Sequence, residues 1–234
     1  MEQRTLYEAI KKNLSKMSFN FSVFFAETRH CIAIELFEAS NILKKEIGCV
    51  IYENLEVKNF YSFLTLYEVE QVMSPLLRKY GFIGGVDGEL MITTSIQKLE
   101  PNLYAQTFNP TYPKVIENEQ DAIELLKDLN TYTQQVAEPF FEKWSDLRVL
   151  NQFLDNCPQM EISDYLGGYG AYSKLLVYKL CNNPKYSEYL EMMYNHAMKR
   201  YKENPDGDKV IKQKHDFMID FKEVLDKTEA VYNI

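Results

Sequence analysis

Residues 19–38, FNFSVFFAETRHCIAIELFE, decide the fold. FNFSVFFAE and HCIAIELFE are dense in aromatic and β-branched side chains, which suit a pleated, half-buried surface, and the ETR between them is short enough for a hairpin. GCVIYEN, residues 48–54, extends the series, so the first hundred residues read mainly as an antiparallel sheet. A helix is expected before it over Leu6–Met17, with Thr5 as cap, because Ile10 and Leu14 lie four apart on one face. After it, T-L-Y-E at Thr65–Glu68 has the pattern of a capping box opening a second helix to about Tyr80, bent at Pro75. Glycines at 81, 84, 85 and 88 precede a return to strand character around Ile92. Neither GxGxxG nor GxxxxGK[ST] is present, and a strand follows, so turn chemistry accounts for these glycines better than a phosphate cradle. NLYAQTFNPTYP, residues 102–113, is expected to supply a last strand.

From Asn118 the pattern is helical. Asn118 is a good cap for a helix over 119–138 whose Ala122, Leu125, Leu126, Leu129 and Val136 share one side. Further helices are expected over Asp146–Asp155 with Ser145 as cap, Tyr172–Cys181, Lys185–Lys202 and Lys209–Lys227. The last two form a hairpin around ENPDGD, setting Tyr189, Leu190, Met193 and Ala197 against Phe217, Phe221, Val224 and Leu225. Within AEPFFEKWSDLRVLNQFL, residues 137–154, Pro139 lacks a backbone donor and clashes with the preceding turn. A bend is expected there, filled by Phe140, Phe141 and Trp144. The fold class is α+β: an antiparallel sheet with helices in residues 1–114 and a helical half, 115–234, packed on it as a single domain.

The stretch ENEQDAIELLKDLNTYTQQVAEPFFEKWSDLRVLNQFL, residues 117–154, resembles the long helix broken at A-x-P-F-F-x-x-[FW] in a bacterial family of domains of unknown function. Some members of that family are suspected immunity proteins, which neutralise toxins exchanged between bacteria. The resemblance implies an amino-terminal helix and strand-rich region ahead of the broken helix, and it brings no catalytic residues with it.

Composition bounds the remaining choices. With 234 residues, 46% hydrophobic and 14% aromatic, the chain has ample material for a core. Its start, MEQRTLYEAIKKNLSKM, lacks the apolar run of a secretory signal, and SFNFSVFFA is about half of a membrane span, so a soluble, cytoplasmic protein without a membrane partner is expected. Cys31, Cys49, Cys157 and Cys181 show no CxxC spacing, and the strand-like runs around Cys31 and Cys49 suggest small buried hydrophobes in a reducing compartment. The net charge is −8, and Val115–Asp164 alone holds 11 acids against 3 bases. Local acidity of this kind argues against nucleic acid and favours a basic protein partner.

At 100° per residue Glu117, Asp121, Glu124 and Asp128 fall on one side of their helix, and Glu142 continues the acidity. The helix dipole explains acids in the first turn but not Asp128, and Glu124 and Asp128 are like charges four apart. These five carboxylates are the candidate partner-binding surface, set against the ordinary account of a solvated face. The second candidate is YLGGYGAYSK, residues 165–174, where Gly167, Gly168, Tyr169, Gly170 and Tyr172 form a loop whose amides would receive a small anion, set against plain turn chemistry. Three histidines, none at metal-ligand spacing, suggest neither a catalytic nor a metal site, and no cofactor is expected. The function expected is therefore a non-enzymatic, immunity-like protein that blocks a basic toxin. The alternatives are a small-ligand binder or enzyme using the Gly/Tyr loop, and an adaptor using the carboxy-terminal hairpin.

Overall fold

In the computed structural model of the protein, which describes residues 2–16, 21–26, 30–83, 93–95, 99–103, 112–205 and 208–233, the chain is α+β. The ETR turn, Gly84, Gly85, Gly88, Ile92 and positions 104–111 of the expected last strand lie outside the described residues. Two compact units take their residues from both sides of position 114. Met1–Thr65 and Thr94–Ser145 form the first; Leu66–Thr93 and Asp146–Ile234 form the second.

The first unit is built on the sheet. Strands β1 (Ser22–Ala26), β2 (Cys31–Ala39), β3 (Leu43–Ile51), β4 (Glu56–Leu66) and β5 (Thr93–Ser95) lie side by side in chain order, and β6 (Lys114–Val115) pairs with β4. β1 and β2 pair antiparallel with Phe25 opposite Ile32, and β2 and β3 with Ile34 opposite Cys49. Alternation in β2 sends Ile32 and Ile34 into the core, where Ile47, Cys49 and Ile51 of β3 join them. Helix α1 (Gln3–Leu14) closes this face with Leu6, Ile10 and Leu14. It begins earlier than expected: Glu2 is the N-cap, and Thr5 lies within the helix.

Helix α3 (Glu119–Tyr132) opens with the capping box at Asn118 and buries Ala122, Leu125, Leu126 and Leu129. The helical path then continues through Pro139. A π-helical turn, Thr133–Ala137, widens the ladder just ahead of it, with the Glu138 N–H reaching back to the Thr133 carbonyl, and Pro139 follows as the second residue of α4 (Glu138–Trp144). Phe140, Phe141 and Trp144 are buried as expected. Ser145 closes α4 through its N–H to the Phe141 carbonyl, and the cap of the next helix is Asp146, one residue later than expected.

The second unit is helical: α2 (Tyr67–Lys79), α5 (Leu147–Asn156), α6 (Ile162–Leu166), α7 (Gly170–Leu180), α8 (Tyr186–Glu203) and α9 (Lys209–Lys227). The capping box expected at Thr65 and Glu68 does not form. Thr65 is buried within β4, and Leu66 occupies the N-cap without a side-chain bond, because strand passes directly into helix. α9 turns Phe217, Met218, Phe221 and Leu225 inward, and Phe217 meets rings from outside the expected hairpin seam. The Phe217 ring lies 4.8 Å from Tyr172 of α7, 5.3 Å from Phe82 and 5.7 Å from Tyr80. α8 contacts α9 yet buries none of its residues.

Behind α7, Lys174 is buried with its Nζ donating to the Leu154 carbonyl at 2.7 Å and lying 5.3 Å from the rings of Tyr178 and Tyr189. Burial holds its pKa below the ordinary 10.5. Between the depressed folded pKa and 10.5 the unfolded chain binds more protons than the folded one, so this site's contribution to stability rises with pH across that window. The stability of Lys174→Met relative to the parent is expected to fall as pH rises from 7 towards 10.5, followed by urea unfolding at several pH values. Tyrosine ionisation at the upper end affects both proteins, so the difference between them is the measure. A difference independent of pH would show that Lys174 carries its proton equally well in both states.

Candidate functional site

Two of the four stripe carboxylates are taken up by bonds that hold the fold. Asp121 Oδ2 accepts from the backbone N–H groups of Glu117 at 2.9 Å and Asn118 at 3.2 Å, completing the capping box. Asp128 Oδ2 accepts from the Tyr112 hydroxyl at 3.0 Å. Glu124 is exposed, but its Oε2 lies 3.0 Å from Lys114 Nζ, and that hydrogen bond holds its pKa below the ordinary carboxylate value. Lys114 on β6 thus offsets the like-charge repulsion between Glu124 and Asp128. Glu117 and Glu142 have exposed side chains.

The Gly/Tyr loop is also committed internally. Gly167 follows α6 with φ +76°, a conformation that favours glycine. A Cβ on Gly170 would sit 2.9 Å from the Ile162 carbonyl oxygen, so α6 and α7 approach as closely as they do only with glycine there. Three amides of the stretch are used within the turn: Gly170 N donates to Gly167 O, and Tyr172 N and Ser173 N both donate to Tyr169 O. The Tyr169 hydroxyl donates to the Phe82 carbonyl at 2.7 Å, and burial raises the pKa of both Tyr169 and Tyr172.

One edge of Tyr172 nevertheless faces an opening. A groove of about 430 Å³ runs along the α8–α9 hairpin and ends against Ala171 and Tyr172 of α7. Helical spacing puts Met192, His196 and Arg200 in one row of α8 and Met193 and Ala197 in the next, while Ile211 and Lys214 come from α9. The floor is apolar. Tyr201 and His215, whose rings stack at 4.1 Å, set the level at which α8 and α9 face each other, so Arg200 and Lys214 line the groove close to that level, with Ile211 one turn nearer the hairpin tip. Met192, 50% exposed, and Met193 lie two turns away beside Gln159, which is held by paired hydrogen bonds with the Tyr189 hydroxyl.

The charge pattern of this groove departs from that of the chain. Among the described residues no carboxylate lines it, although the sequence holds 34 acids against 26 bases. Neighbouring bases are paired, Lys199 with Glu203 and Lys212 with Asp216, whereas among the described residues neither Arg200 nor Lys214 has a carboxylate within ion-pair distance. The groove can therefore desolvate an apolar body while offering two cations on its hairpin-tip side.

Met192, Met193, His196, Ala197, Arg200 and Lys214 were not among the site residues expected from sequence. The available signal was the apolar-to-basic change along α8, which an ordinary packed hairpin shows equally well. Among the described residues no group of three or more His, Cys, Asp or Glu comes together to hold a metal, and no helix is long and apolar enough to cross a membrane. Comparison with protein-family models, with curated proteins and with solved structures finds no match for this chain.

Proposed function

We propose that this chain is a binding protein whose ligand seat is the groove of the α8–α9 hairpin. The observation that carries this reading is an apolar-floored groove in the size range of small-molecule sites whose basic side chains have no carboxylate partner among the described residues. Tyr172 belongs both to this groove and to the loop read from sequence as a ligand site, although its ring rather than the loop amides contributes. Ala197 is the smallest side chain among those α8 contributes to the groove, so Ala197→Trp fills it. Binding of the neutral apolar dye Nile red, followed by fluorescence titration, is expected to weaken at least about tenfold in Ala197→Trp with thermal unfolding unchanged. Unaltered dye binding would remove the groove as the site.

A second reading keeps the immunity-like inhibitor of a basic toxin, resting on the exposed carboxylates Glu117, Glu124 and Glu142. Exposed charges of this kind steer association and make it salt-dependent. A basic partner captured stoichiometrically at low salt should be lost at high salt and in Glu117→Lys/Glu142→Lys. Capture indifferent to both would dismiss that surface.

A further inference from the structure

We infer that the ligand of the hairpin groove is a single-chain amphipathic anion, a carboxylate or phosphate monoester carried on an aliphatic body. This rests on the groove being the binding site and specifies what fits it. The groove is polarised along its length: Arg200 and Lys214 lie near the Tyr201–His215 level, on the hairpin-tip side, and Met192 and Met193 lie about two turns of α8 further from the tip. From Met192 to Arg200 is eight residues of helix, about 12 Å. At about 30 Å³ per non-hydrogen atom, the share of a water in the liquid, the groove holds on the order of a dozen such atoms.

The dipole of α8 favours a base such as Arg200 in its last turn, but it does not explain why no carboxylate lines the groove among the described residues or why Lys214, from the other helix, lines the same groove as Arg200. Two cations that no carboxylate pairs among the described residues, on an acidic protein, match an anionic head. Methionines conform to a flexible aliphatic chain better than to one rigid outline. The apolar floor, with no acid, disfavours a cationic amphiphile, and a highly charged polyanion would leave that floor uncovered.

The test is calorimetric titration of decanoate, decan-1-ol and decyltrimethylammonium, each below its micellar concentration, into the full chain and into Arg200→Glu/Lys214→Glu. Decanoate is expected to bind once per chain and about tenfold or more tighter than the alcohol, with the cation weakest. In the charge-reversal variant decanoate should lose that advantage and decan-1-ol should be unaffected, while thermal unfolding reports that the variant folds. If all three amphiphiles bind alike and Ala197→Trp abolishes them together, the groove stands as a site and the anion inference falls. If none binds and Nile red also ignores Ala197→Trp, both fall. Stronger binding to vesicles containing phosphatidylglycerol than to free decanoate would overturn the inference in favour of a membrane surface.

Discussion

Phe217→Ala is expected to lower the unfolding free energy by about 3–5 kcal/mol, the range for deleting a large aromatic ring from a closed core. Phe217 is fully buried, and Tyr172, Phe82, Phe221 and Tyr80 surround it with ring centroids 4.8–5.7 Å away. Truncation removes the buried apolar area and the edge-on aromatic contacts, each about 0.5–1.5 kcal/mol beyond area alone. Four rigid rings on three different segments collapse poorly into the space left. Urea unfolding monitored by far-ultraviolet circular dichroism measures the loss, and a change below about 1 kcal/mol would show that the cluster does not hold the helical unit together. The same variant should weaken Nile red binding, because Tyr172 rests on Phe217 and forms the end wall of the groove. Ala197→Trp weakens the dye without the stability loss, which separates a damaged wall from a filled seat.

What could be read from the sequence depended on how local the controlling physics is. Alternation at Ile32 and Ile34 and the aromatic density of FNFSVFFAE are properties of short segments, and the sheet followed from them. The capping box at Asn118 is likewise complete within four residues. Thr65 carried the same kind of signal but lies in a strand that enters α2 without a loop, so its hydroxyl has no helix end to serve. Pro139 was read as a break because its effect depends on the turn before it, and the π-helical turn that accommodates it has no signature in residue type. The acidic stripe looked like a free surface because Lys114 and Tyr112 reach it from outside the helix. Met193 and Ala197 have the same apolar spacing whether a helix covers them or leaves them open. Their place in a groove is a tertiary fact, as is the meeting of Arg200 with Lys214 from another helix.

Gly48→Ala should destabilise the sheet unit by about 2–4 kcal/mol, combining overpacking with loss of one hydrogen bond to a carboxylate. Gly48 sits in β3 opposite Glu35 of β2, and a Cβ there would lie 2.4 Å from the Ile34 carbonyl oxygen and 2.8 Å from the Tyr61 hydroxyl oxygen. The reason is a side chain that crosses a strand. Tyr61 extends from β4 over Gly48 to donate to Glu35 Oε1 at 2.8 Å, covering the bare glycine with its ring. Burial and the neighbouring Glu35 push the Tyr61 pKa upward, as expected of a hydroxyl held as a donor against a carboxylate. Alanine restricts the unfolded chain and would by that route stabilise by about 0.4–1 kcal/mol, too little to offset a clash with backbone. Repeating Gly48→Ala in a Tyr61→Ala background tests the cause, since the ring contact is then absent while the Ile34 carbonyl remains. A smaller loss in that background assigns part of the cost to the displaced tyrosine. An equal loss in both would mean that the strand backbone alone forbids a side chain at 48 and that the substitution leaves the Tyr61–Glu35 bridge undisturbed.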